Sequence, residues 1–430
     1  MLFLLLLFFL INVYGFKISI LKSNVRNTIK NIRFGFVKNI LQFNKYTNKE
    51  EKINQKSIEI YNKNCDKFLN LAYNPTLEGP NDRGQLTWYP IGFSNDFSDI
   101  PKRVTIRDIN YVVWKDSHNY YGLRDCCSHQ GSSFIGGNTL KNTISCPYHG
   151  YVFNGENGEL NEIPKLKHIP SCKQNITCFK VIQQGDVIYL NTVPLTNEII
   201  KYQLDEDSIF TEPEYFLPDH RAVYLSEDFD HYAKFVSVNS LDICHIGFVH
   251  TFGNKKSPNP ITNSKVLQIN DTDHHYKIIY EYKAGENSLV NKIYNYDNIT
   301  VENEYILPHT TVARVKFGSL SSTIITHALP ISKFKTKLFV KAYRNYWSYD
   351  LNKTGINLCY PFENMVNYIG DKITFNTMYE TLKQDKAIVD NIDKTDYESM
   401  HGKFSIAYDM FSNHYKSMYK KFYEPGEFFI

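Results

Sequence analysis

Two short loops, Cys127-Ser128-His129 and Cys146-Pro147-Tyr148-His149, are separated by sixteen residues and constrain this 430-residue chain more than any other feature. Each loop offers one thiol and one imidazole, so a fold that uses all four must bring the loops face to face around a shared group. Gly131, Gly136, Gly137 and Gly150 permit the tight turns such loops need, and Pro147 stiffens the second loop. A four-ligand zinc site would also use two thiols and two imidazoles, but zinc spacings usually repeat Cys-x-x-Cys or His-x₃₋₅-His.

The segment Cys146-Pro147-Tyr148-His149-Gly150-Tyr151 resembles the second ligand loop of Rieske [2Fe–2S] domains. The resemblance runs from Trp88-Tyr89-Pro90 through Val112-Val113-Trp114-Lys115-Asp116 to Gly185-Asp186-Val187-Ile188-Tyr189-Leu190. It implies that Cys127 and Cys146 hold one iron while His129 and His149 hold the other. Neutral imidazoles there raise the reduction potential above that of an all-cysteine cluster. Gln130 departs from the pattern, since oxygenases with this domain commonly carry Arg after the first His. Rieske proteins of the cytochrome complexes carry an extra Cys in each loop. Here Tyr148 stands at the second-loop position, no Cys follows His129 within its loop, and Cys126 precedes the first ligand. That disfavours the purely electron-transferring class.

A second constellation lies about a hundred residues later, in Asn239-Ser240-Leu241-Asp242-Ile243-Cys244-His245-Ile246-Gly247-Phe248-Val249-His250. Its Asp-x-x-His-x₄-His pattern is similar to the mononuclear iron site of Rieske non-haem iron oxygenases. The resemblance implies His245 and His250 as Fe(II) ligands in a 2-His-1-carboxylate face, which leaves positions open for dioxygen and substrate. On a regular helix five residues place the two rings roughly 140° apart. The helix should therefore widen or end near Gly247.

The carboxylate must come from a distant segment. Asp385 is the choice, because Gln384-Asp385 resembles the downstream ligand motif and Met378 to Ile392 has apolar residues at Leu382, Ile388, Val389 and Ile392 that suit a partly buried helix. Asp390 and Asp393 are the rivals. By the same resemblance Asp242 bridges the two centres across the subunit boundary of a homotrimer, bonding His149 of one subunit and holding His245 of its own. Asn239 occupies a position beside the iron.

The remaining chain sets the frame. Length favours two domains. The expected plan is α+β: an all-β Rieske [2Fe–2S] domain over residues 85–194, closed by Pro194, and an antiparallel catalytic domain of helix-grip (START/Bet v 1-like) type over 195–430. Arg103–Ile106, Tyr111–Trp114, His275–Tyr282, Thr310–Val315, Ser322–His327 and Leu338–Tyr343 read as strands rich in β-branched and aromatic residues. Phe248, Phe252, Tyr280, Tyr305 and Phe317 are candidates to line an apolar cavity. A net charge of only +3 gives no footprint for nucleic acid.

Leu2 to Ile11 is an apolar run too short to span a bilayer, so residues 1–15 read as a signal peptide. Residues 16–70 form a transit-like or disordered leader, since Phe16 to Asn48 is basic without a single Asp or Glu. Together they resemble the bipartite leaders of plastids bounded by extra membranes; retention in the secretory pathway is the alternative. Folded structure should begin between Leu71 and Thr87. Cys172 and Cys178 could form a local disulfide.

The expected function is a terminal oxygenase that takes electrons from a ferredoxin or an NAD(P)H-dependent reductase, since no Rossmann fingerprint or flavin motif is visible. It would use O₂ to hydroxylate, demethylate or desaturate an apolar substrate, with a tetrapyrrole as one candidate. A Rieske electron-transfer or redox-sensing protein and a helix-grip lipid or pigment carrier are the rival readings.

Overall fold

A computed structural model of the chain describes residues 88–166, 175–195, 209–262, 264–269, 274–286, 288–347, 360–394 and 404–423. The leader segments 1–15 and 16–70, and Cys172, lie outside the described residues.

The first ten strands are β1 (Trp88–Phe93), β2 (Lys102–Ile106), β3 (Ile109–Lys115), β4 (Tyr120–Arg124), β5 (Thr139–Leu140), β6 (Thr143–Ser145), β7 (Val152–Asn154), β8 (Leu160–Glu162), β9 (Cys178–Gln184) and β10 (Val187–Pro194). Six of them form an antiparallel sheet in the order β1-β10-β9-β4-β3-β2, and β5 to β8 form a small four-stranded sheet. Two cores result. Tyr89, Val104, Tyr111, Val113, Ile188 and Leu190 fill one side of the large sheet. Val112, Trp114 and Leu123 pack on its other side against Phe134, Ile144 and Phe153 of the small-sheet region. The alternation of Val112 and Val113 to opposite cores is the period-2 rule acting on a strand buried on both faces.

Strands β11 (Arg221–Phe229), β12 (Leu267–Gln268), β13 (His275–Lys283), β14 (Asn298–Ile306), β15 (Thr310–Phe317), β16 (Leu320–Ser332) and β17 (Lys335–Arg344) build a second antiparallel sheet ordered β11-β17-β16-β15-β14-β13-β12. All six strands expected from the sequence are present, each longer than its sequence signal; Ser322–His327 grows most, to the thirteen residues of β16. The α+β plan with antiparallel sheets therefore holds.

The described α-helices are α1 (Ala233–Leu241), α2 (Ile246–Val249), α3 (Leu289–Tyr294), α4 (Tyr360–Val389) and α5 (Met410–Tyr423). Phe235 and Val236 of α1 and Leu382 and Val389 of α4 pack with Val223, Leu225, Leu338 and Val340 of the sheet. The helix expected from Met378 is the C-terminal part of the thirty-residue α4. Helix α5 buries Phe411, Tyr415 and Tyr419, spaced four apart, against Tyr276 and Tyr305. Among the described residues no helix is long and apolar enough to cross a membrane.

Candidate functional site: two metal centres

The two Cys/His loops share one backbone design. The first follows β4 and the second joins β6 to β7. In each, the amide of the residue four after Cys bonds back to the Cys carbonyl: Gly131 N to Cys127 O at 2.8 Å, and Gly150 N to Cys146 O at 2.9 Å. The Cys amide in turn donates to the carbonyl five residues on, Ser132 and Tyr151, both at 2.8 Å. Gly131 and Gly150 both have φ +72°, a left-handed conformation that disfavours any side chain. Two loops of unlike sequence thus present like geometry, so one group can be clasped from both sides.

Both thiols are buried and both imidazoles are exposed. Burial, with the adjacent Cys146 thiol, pushes the Cys127 thiol up to about 11, while the amides of His129 and Gln130 point at its sulfur and act the other way. Iron would stabilise the thiolate and reverse that balance. The His129 and His149 rings lie 4.6 Å apart, and Tyr151 stacks on His129 at 4.5 Å and 9°. The donor set fits a cluster with a buried thiolate end and a solvent-facing imidazole end. Cys178 is separate: its thiol points at the carbonyls of Glu156 and Leu195.

The second centre forms where the chain between β11 and β12 meets α4. Helix α1 stops at Leu241, with Asp242 extended as its cap, and the chain re-enters a single helical turn, α2. His245 is the N-cap and His250 the C-cap of that turn. The break thus falls at Asp242, upstream of the expected position at Gly247. Gly247 serves close packing instead, because a Cβ there would sit 2.6 Å from Cβ of Pro258.

His245 Nε2 and His250 Nε2 are 3.2 Å apart, and Asp385 Oδ1 lies 3.5 and 3.4 Å from them. Divalent metal bonds of about 2.1 Å to imidazole and carboxylate, at right angles or somewhat wider, put ligand atoms about 3.0–3.4 Å apart. Two further observations fit a cation. Among the described residues the buried Asp385 Oδ1 has no hydrogen-bond partner. Both rings are also anchored through Nδ1, which leaves both Nε2 atoms aimed inward: His245 donates to the Asp242 carbonyl at 2.8 Å and His250 to Oε1 of Gln384 at 3.1 Å. Burial lowers the proton affinity of both rings. For His245 the Asp385 carboxylate and Asp242 outweigh it and the net shift is upward, whereas for His250 burial prevails.

Asp385 on α4 is therefore brought to the histidines, and its rivals are not. Asp390 accepts from the amide of Asp230 at 2.8 Å and pairs with Lys386 at 2.9 Å, and Asp393 lies exposed beyond the helix end. Asp242 needs a correction. Its backbone carbonyl, not its carboxylate, holds the His245 ring, while its Oδ1 accepts from the amide of Cys244 at 2.8 Å. Gln384, the other half of the Gln-Asp pair, is the residue whose role the sequence does not reveal.

The centre opens into a cavity of about 670 Å³. Val301, Val315, Ile324, Leu338 and Val340 from the sheet face Val236, Asn239 and Leu382 from the helices across it. Phe252 and Phe317 line it as expected. Phe248 instead points outward at 62% exposure, and Tyr280 and Tyr305 belong to the solid core under α5.

Comparison with known proteins places residues 87–178 in the family described as Rieske [2Fe-2S] domain. "Cholesterol 7-desaturase nvd" of Xenopus laevis is 28% identical over 137 residues, covering 30% of this chain and 27% of that one. The oxygenase component of a 3-ketosteroid-9-alpha-monooxygenase from Rhodococcus rhodochrous is 32% identical over 100 residues, 23% of this chain and 25% of that one. The chain thus spans about a quarter of the length of the curated relatives it matches. Among solved structures, dicamba monooxygenase bound to dicamba superposes with a TM-score of 0.64 at 16% identity, over 79% of this chain and 98% of that one. Pseudomonas putida CBB5 NdmA gives a TM-score of 0.59 at 17% identity, over 77% and 88%.

Proposed function

This chain carries a Rieske [2Fe–2S] domain on the fold of a Rieske monooxygenase, and from that premise we propose that it is the terminal oxygenase of a Rieske-type system acting on an apolar polycyclic substrate. The observation that carries the reading is the convergence of His245, His250 and Asp385 on the wall of the large apolar cavity. An electron carrier needs no second metal face, and a lipid carrier needs no unpartnered carboxylate against two inward imidazoles.

When bound, the cluster supplies electrons and the iron supplies oxygen activation at its open positions. The residues do the rest. Asp242 and Gln384 hold the two rings in one tautomer, α4 sets the carboxylate, and the aliphatic sheet floor excludes water from the reacting carbon. For a hydroxylation the balance is one oxygen atom into a C–H bond and the other into water, with two electrons and two protons from an external ferredoxin or reductase. The exposed His129, His149 and Tyr148 suit contact with such a donor, or with Asp242 of a neighbouring subunit in a trimer.

Steroids are the first substrate class, supported by the names of the relatives and by the aliphatic cavity; tetrapyrroles are the second, supported by the cavity volume. The test is a single turnover: reduced holoprotein is incubated anaerobically with a steroid and tetrapyrrole library, oxygen is admitted, and products are read by mass. Iron content that matches only the cluster would remove the oxygenase reading. Delivery to a plastid by residues 1–70 belongs to the same proposal, tested by fusing that segment to a fluorescent protein and locating it.

A further inference from the structure

The floor of the cavity carries a polar side chain whose oxygen the fold leaves unused. Asn303 sits in the middle of β14, 3% exposed, and its Oδ1 has no hydrogen-bond partner among the described residues. It nevertheless lines the cavity. Its neighbours there are mostly apolar: Val301 precedes it on the same face, Ala313 is its register partner on β15, Ile324 follows on β16, and Val315 stands one step along; Thr311, one step the other way, is the polar exception. The small side chain of Ala313 leaves room beside the amide.

A buried amide oxygen left without a donor is destabilising, whereas an aliphatic side chain there would carry no such penalty. A group retained at such a place in the free protein has its partner elsewhere. Among the described residues two other cavity-lining side chains carry an unpartnered polar atom: Asp385, whose oxygen faces the two metal-site imidazoles, and Tyr282, whose hydroxyl lies within electrostatic range of Asp242 and Cys244 and whose register partner is Ile299, four residues from Asn303 along β14. On the sheet floor Thr311 and Thr326 satisfy each other at 2.6 Å, whereas the Asn303 oxygen stands unpaired among mostly aliphatic neighbours.

We infer that Asn303 is the specificity-determining residue of the cavity, accepting a hydrogen bond from a hydroxyl on an otherwise apolar polycyclic substrate. The inference rests on the proposed binding of an apolar substrate in this cavity and adds the one polar group that substrate must carry. The hydroxyl anchors the molecule by one end against the sheet and so fixes which carbon faces the metal ligands.

The experiment measures displacement of N-phenyl-1-naphthylamine from holoprotein by two matched pairs: cholesterol with cholest-5-ene, and 2-naphthol with naphthalene. In each pair the second compound lacks the hydroxyl. Wild-type protein is expected to favour a hydroxylated member by about tenfold, as one satisfied hydrogen bond implies. Asn303→Leu should abolish that preference while leaving the deoxygenated member unchanged or tighter.

The same variant should raise the Tm of the ligand-free holoprotein, because it removes an unpaired amide. A structural role for Asn303 would lower the Tm, and an Asn303→Leu protein that fails to fold would overturn the inference for that reason. Retained preference in Asn303→Leu, or absence of preference in wild type for both pairs, would overturn it too. Preference confined to the naphthol pair supports the residue's role and removes steroids as the substrate class. Selective binding without product in the single turnover leaves this inference standing and removes the oxygenase reading.

Discussion

His250 donates through Nδ1 to Oε1 of Gln384 at 3.1 Å, and Gln384 immediately precedes Asp385, whose Oδ1 faces the other nitrogen of the same ring at 3.4 Å. One turn of α4 therefore supplies both a metal-facing carboxylate and the group that orients an imidazole toward it. Gln384→Leu should weaken iron binding at the mononuclear site about 10–100-fold, the usual cost of losing such a partner. Gln384→Glu should recover most of it. Iron retained against a graded chelator measures the effect, with cluster absorbance as the internal control.

Asp385→Ala should lose the mononuclear iron and keep the cluster. Asp390→Ala should keep both, since its carboxylate serves the Asp230 amide and Lys386. Iron and acid-labile sulfide analysis of the two proteins separates these outcomes; loss of iron from the Asp390 variant would move the ligand assignment.

His149→Cys should lower the reduction potential by a few hundred millivolts, toward that of an all-cysteine cluster, and change the electron paramagnetic resonance spectrum of the reduced protein. An unchanged spectrum would count against His149 as a ligand.

Asp242→Asn keeps an oxygen to cap the Cys244 amide and leaves the backbone carbonyl on His245 intact. Both metals should remain bound while the rate of cluster-to-iron electron transfer falls at least about tenfold, if the carboxylate bridges subunits. Loss of iron instead would assign Asp242 to the turn alone. Rapid-quench kinetics with metal analysis distinguishes the two.

Arg314 is buried between Glu214 and Glu304, and His275 bonds Glu304 at 2.9 Å. Burial alone would raise both carboxyls, but the Arg314 and His275 contacts outweigh it and hold both below their usual value of 4.5. A carboxyl depressed on folding contributes stability that is present above the unfolded value and is lost as pH falls through the folded one. The sheet should therefore lose stability below about pH 4.5. Arg314→Met should cost about 3–5 kcal/mol at neutral pH by removing the cation shared by two buried carboxylates, which keep only Thr323 and His275 as partners, read by urea denaturation. Its stability should fall less steeply with acid than that of the parent protein.

The metal-facing residues were legible in the sequence to different depths. Cys127, His129, Cys146 and His149 could be read from spacing because each loop is a local structure closed by its own glycine turn. His245 and His250 were legible as a pair, but the geometry that lets them converge was misplaced by five residues. Breaking the helix at Asp242 depends on a cap whose effect is not periodic. Asp385 could be chosen only by resemblance, since nothing local distinguishes it from Asp390; the phase of α4 against the sheet separates them.

The cavity shows the division most clearly. Asn303 and Tyr305 are two residues apart on β14 and so share a face by the period of a strand. Sequence alternation determined that face. It could not determine that α5 would cover one end of it, burying Tyr305 under Phe411 and Tyr415 while leaving Asn303 open to the cavity. Phe248 points outward for a related reason, because the caps at His245 and His250 fix which side of the α2 turn faces the metal. Local spacing thus determined the ligand loops and the alternation of the strands, since those follow from the chain's own geometry. Which faces became cavity, core or solvent was decided only by the packing of segments distant in sequence, a relationship that no local pattern records.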